Sequence, residues 1–191
     1  IMSSDWSSDV CSSDLAMRKA TDTHDIDAIF PADDACSDGI VCGPTDVREY
    51  WQSWRDRVSE IKAVVVTSAD FMDERTVQDT VRLLPDDVPV FLIVDNDDPE
   101  KMGEDVGDSL CGSLSVHHNM RMIGRRILRG CRINMHEADV LGRFLGEYVQ
   151  LADGIEALRN MRIAMFGVNP NTFATTFTNQ MKLFELGFSL N

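Results

Sequence analysis

The sequence predicts an α/β fold, a parallel sheet with helices on both faces, and three observations carry that expectation. Lys62-Ala-Val-Val-Val-Thr67 and Pro89-Val-Phe-Leu-Ile-Val94 are continuous apolar runs, as expected of strands buried on both sides. Segments of helical period lie before, between and after them. From Asp38 onward the two kinds of segment alternate, the pattern of crossover units in a Rossmann-like or flavodoxin-like sheet.

Gly39-Ile-Val-Cys42 is a short strand candidate, and Pro44 is placed to open the next helix, its φ being pre-set for a first helical position. Val47, Tyr50, Trp51, Trp54, Val58 and Ile61 recur at helical spacing, so this helix has one apolar face. Trp51 and Trp54 are expected to pack in the core rather than to stack on a ligand. After the strand at 62–67, a helix of about a dozen residues should turn Phe71, Val77, Val81 and Leu84 inward and stop at Pro85. The strand at 89–94 follows, with a right-handed crossover between the two.

Asp95-Asn-Asp-Asp-Pro-Glu-Lys-Met-Gly-Glu-Asp105 begins like a calcium loop. It has Pro99 at the fifth place, Glu100 where glycine is required and Val106 where the bidentate glutamate belongs. A solvated loop is expected instead. In the following block Asp108 or Ser109 can cap a helix whose apolar stripe is Val116, Met120, Ile123 and Ile127. A further helix is expected from Asn134, with Glu137 completing a capping box and Ala138, Leu141, Phe144, Leu145 and Tyr148 facing the core. Residues 151–160 suggest a short helix or linker.

Arg162-Ile-Ala-Met-Phe166 then starts what reads as a second α/β domain, with a helix over 172–186 that aligns Phe173, Phe177, Met181 and Phe184 and is capped by Gly187. Three regions are therefore expected: 1–15, 16–159 as an N-terminal α/β domain, and 160–191 as the start of a second. Within the first, Asp5-Trp-Ser-Ser-Asp-Val-Cys-Ser-Ser-Asp-Leu15 reads as the in-frame translation of a common sequencing adapter. That segment is expected to be a foreign, disordered tail, and both natural ends of the protein are expected to be missing. Phe173, Phe177 and Phe184 would then lack a complete sheet to cover them.

Composition narrows the function. With 43% hydrophobic and 26% charged residues the chain suits a soluble globular protein. Its formal net charge of −14, or −11 once Asp5, Asp9 and Asp14 are set aside, repels phosphate backbones and argues against nucleic-acid partners. No apolar run approaches the roughly 20 residues that span a bilayer, so no membrane association is expected and a cytoplasmic location is. Cys36, Cys42, Cys111 and Cys131 show no paired CxxC spacing and suggest reduced thiols. A metal site from Cys131, His136 and Glu137 would lack a second ligand pair. The chain has no GxGxxG or GxxxxGK[ST] phosphate loop, and neither Ser109 nor Cys111 lies in a GxSxG elbow.

The chemically equipped stretch is Gly107-Asp-Ser-Leu-Cys-Gly-Ser-Leu-Ser-Val-His-His-Asn-Met-Arg-Met-Ile-Gly-Arg-Arg126, which puts small polar residues and two histidines where a helix starts after a strand. In an open parallel sheet that edge is where ligands bind. Helical spacing places Ser113 and His117 on one face.

With Phe166-Gly-Val-Asn-Pro-Asn-Thr-Phe173 and Leu186-Gly-Phe-Ser-Leu-Asn191, this stretch resembles the N-terminal region of the L-fucose/L-arabinose isomerase family. The resemblance covers roughly the second half of the chain. It implies a metal-dependent aldose–ketose isomerase that moves a proton between C1 and C2 through an enediol. The metal is usually Mn2+, its ligands lie in later parts of the family's chains, and homo-oligomers place one subunit's N-terminal domain over a neighbour's sugar site. It implies that His117 or His118, with Ser113, touches the sugar, leaving open which histidine does so and which sugar is bound. The expectation is an N-terminal fragment that supplies a pocket wall and subunit contacts, inactive alone and binding no metal itself. A non-catalytic sugar-binding or regulatory α/β module is the alternative.

Overall fold

The computed structural model describes residues 2–3, 10–31, 41–69, 71–96, 108–163, 167, 179–185 and 189–190. They form two compact units, Ile1–Val149 and Gln150–Asn191.

The first unit is built on the two runs legible in the sequence. β2 (Val64–Ser68) and β3 (Val90–Asp95) are buried at every position and pair in parallel, Val64 opposite Val90 through Ser68 opposite Val94. β1 (Met2–Ser3) adds two residues beside β2, and β4 (Ile127–Ile133) lies beside β3, giving the order β1-β2-β3-β4 with every pairing parallel. Side chains alternate across a strand, so the valine-rich runs feed two cores.

On one face Val64, Val66, Val90, Leu92 and Val94 pack with residues of α2 (Gly43–Trp54), α3 (Glu74–Arg82) and α4 (Ser109–Met122). On the other, Val65, Phe91, Ile93 and Ile133 meet Met17 and Ala20 of α1 (Val10–Thr23) and Leu141, Leu145 and Tyr148 of α5 (Ala138–Arg159). Helices on both faces of a parallel sheet are the expected α/β architecture. In the second unit β5 (Arg162–Ile163) pairs in parallel with β6 (Ser189–Leu190), and α6 (Gln180–Glu185) precedes β6.

α2 starts at Gly43 (φ 77°), with Pro44 in its first turn, as the sequence indicates. It ends at Trp54 and tightens into a 3-10 segment, Arg55–Glu60, instead of continuing to Ile61. Trp54 is buried, with Trp51 edge-on to it at 4.5 Å, so both tryptophans pack in the core. Arg57 of the 3-10 segment bonds both Asp27 (2.7 Å) and Glu60 (2.8 Å). α3 is shorter than expected at nine residues. Val77, Val81 and Leu84 point inward, whereas Phe71 is 44% exposed and its neighbour Met72 takes the buried place.

Two boundaries differ from the periodic pattern. The apolar stripe that runs to Ile127 is cut after Met122, because Gly124 adopts φ 75° and Arg125 N–H returns to Met120 O, a reversal that glycine makes at little cost. Ile127 then belongs to β4. Arg125, buried, donates to Val88 O at 2.8 Å and so ties this reversal to the start of β3. α5 begins at Ala138 rather than at Asn134, because Met135 N–H is held by Asp95. Its 22 residues also take up 151–159, where the sequence suggested a short helix or linker.

Expectations for Gly39 and Ile40, the 97–105 loop, 164–166, 172–178 and Gly187 lie outside the described residues. Phe184 is described, and it is 51% exposed.

Tyr148 pins α5 to the sheet. Its ring stacks on Phe91 at 4.4 Å, and its hydroxyl lies 3.2 Å from Leu92 O and 3.1 Å from Cys131 Sγ. Burial pushes the phenol well above its ordinary 10.0 and the Cys131 thiol above its ordinary 9.0. Both groups are acids held neutral in the folded state, so the unfolded chain ionises first. The stability they contribute is full below about pH 9 and is lost as pH climbs above it. The urea midpoint is expected to fall from about pH 9 upward, and Tyr148→Phe should cost about 1–1.5 kcal/mol at pH 7 while flattening that decline. An alkaline decline of unchanged slope in the variant would remove Tyr148 from its cause.

Candidate functional site at the carboxyl edge of the sheet

β2, β3 and β4 all end at one edge, with Ser68, Asp95 and Ile133 as their last residues, and α4 starts beside them at Ser109. Asp95 is the hub. Although it opens the acidic run expected to be a solvated loop, it is the final residue of β3 and only 7% exposed. Its Oδ1 accepts the backbone N–H groups of Asn96 (2.9 Å) and Met135 (2.8 Å), and its Oδ2 lies 3.5 Å from His136 Nε2. Its carbonyl accepts Ser109 Oγ at 2.9 Å and Arg132 Nε at 3.3 Å. Ser68 Oγ donates to Ser109 O at 3.4 Å. A carboxylate this buried requires such donors, and it receives them from two segments, the end of its own strand and the turn after β4.

The start of α4 uses its polar residues differently from the expected cap. Asp108 is at the N-cap position without a side-chain capping bond, and Ser109 reaches Asp95 instead of its own helix. At the other side of the edge, Asn134 bonds Glu137 Oε1 through Nδ2 (2.9 Å) and His136 N–H through Oδ1 (3.1 Å), closing the turn before α5. Cys131 and His136 diverge, the thiol meeting Tyr148 on the α5 face and the imidazole meeting Asp95. Among the described residues no group of three or more His, Cys, Asp or Glu could hold a metal ion.

The residues singled out from the sequence lie along α4. Ser113 is buried, and its hydroxyl turns back to Leu110 O at 2.7 Å. Its carbonyl lies 2.8 Å from His117 Nδ1. A carbonyl can only accept, so Nδ1 carries the proton and Nε2 of the neutral ring is left as an acceptor. The His117 ring covers Gly130 of β4, its Cε1 lying 3.8 Å from where a Cβ would stand. His118, one residue on, is exposed. Ser113 and His117 thus meet through a backbone carbonyl. Both sit one to two turns from the Asp95 cluster, since His117 is eight residues past Ser109 and each residue rises about 1.5 Å.

Sequence reasoning missed Asp95, Arg132 and His136 as one constellation. They are separated by up to 41 positions, and only the parallel pairing of β3 with β4, Val94 opposite Arg132 and Asp95 opposite Ile133, brings them together.

A parallel sheet with helices on both faces and polar groups at its strand ends defines an α/β domain. The sequence model of the fucose/sulfoquinovose isomerase N-terminal domain matches residues 7–159. The chain therefore belongs to the fucose/sulfoquinovose isomerase family, through that family's N-terminal domain. No curated protein matches it in sequence. Among the described residues, no helix is long and apolar enough to cross a membrane.

Asp95→Ala should leave two backbone N–H groups without their acceptor and cost about 2–4 kcal/mol. Asp95→Asn, which keeps one carbonyl oxygen, should cost less. Amide exchange at Met135 and Asn96 should speed up in the alanine variant beyond what its global stability loss explains. A loss below about 1 kcal/mol with unchanged exchange at both amides would show that Asp95 does not hold the edge together.

Proposed function

We propose that this chain forms a substrate-pocket wall and a subunit contact in a metal-dependent aldose–ketose isomerase of the L-fucose/L-arabinose type. In this reading it is an N-terminal piece, 16–159 being one α/β domain and 160 onward the start of another. The protein works in the cytoplasm as a homo-oligomer, and the metal centre lies elsewhere in the protein. The observation that carries the reading is the family match across residues 7–159.

Manganese, when bound, would polarise the carbonyl and hydroxyl oxygens between which the proton moves. The described residues include no cluster fit to hold it, so no step assigned to this chain runs through the metal. What the chain contributes is position. His117, oriented by the Ser113 carbonyl and resting on Gly130, offers Nε2 to a sugar hydroxyl in a neighbouring subunit's pocket. His118 lies beside it on the outward side, and Ser113 acts through its backbone rather than its hydroxyl.

The test is an isomerase assay on the purified 191-residue chain with manganese and either L-fucose or L-arabinose. No aldose–ketose interconversion above background is expected, and a measurable rate would overturn the assignment of the metal centre to another part of the protein. Calorimetry on the same sample separates the sugar-binding-module reading. That reading requires a Kd of about 10 μM or tighter for one of these sugars without metal, and the pocket-wall reading requires none, because the neighbour's half of the pocket is lacking.

A further inference from the structure

We draw no further inference here: the strongest candidate, the Asp95–His136 pair with Arg132 at the carboxyl edge of the sheet, belongs to the site already described, and nothing among the described residues shows what would bind there.

Discussion

The buried carboxylate of Asp95 is the constraint around which the sheet edge is arranged. A carboxyl group at 7% exposure needs donors, and those it finds are backbone N–H groups at the end of its own strand and in the turn after β4. Satisfying them fixes the path of the chain at residues 134–136, delays the start of α5 to Ala138 and brings His136 against the second carboxylate oxygen. The carbonyl of the same residue takes Ser109, so α4 is held by its first hydroxyl to the end of β3. One residue thus sets where two helices begin, and with them the register of Ser113, His117 and His118 along α4.

How much of this could be read from residues alone depended on whether the signal was local. The buried strands were legible because the eleven positions of β2 and β3 are all buried and eight of them, Val64–Val66 and Val90–Val94, are uninterrupted apolar runs. The two-sided helix cover followed from the same continuity. The strand β4 was illegible because its side chains report an edge. Arg129 and Arg132 alternate with Leu128, Gly130 and Cys131, a mixture with no clear period of 2 or of 3.6. Ile127 fell in step with the stripe of the preceding helix, and only the left-handed turn at Gly124 separates the two.

The site was legible in part, and for the same reason. The small polar residues at the start of α4 announced a helix N-terminus beyond a strand, and it lies at the carboxyl edge. The role of each residue did not follow. Ser109 and Ser113 have the same side chain four positions apart, yet one crosses to Asp95 O and the other turns back to Leu110 O. Asp95 sits at the head of an acidic run and looked solvated because its neighbours in sequence are charged, whereas its neighbours in space are strand ends. The Asp95–His136 approach is a product of strand pairing, for which no periodicity within either segment gives notice.

The histidines of α4 show how an edge strand can serve two purposes. A glycine in a strand interior weakens it and leaves a gap on its face. At Gly130 the His117 ring lies over that gap, 3.8 Å from where a Cβ would stand, an ordinary van der Waals contact. The same contact, with the Ser113 carbonyl, fixes the ring's tautomer and leaves Nε2 as its acceptor. On the pocket-wall reading proposed above, the ring so oriented on an exposed flank is placed to meet a group from outside the chain.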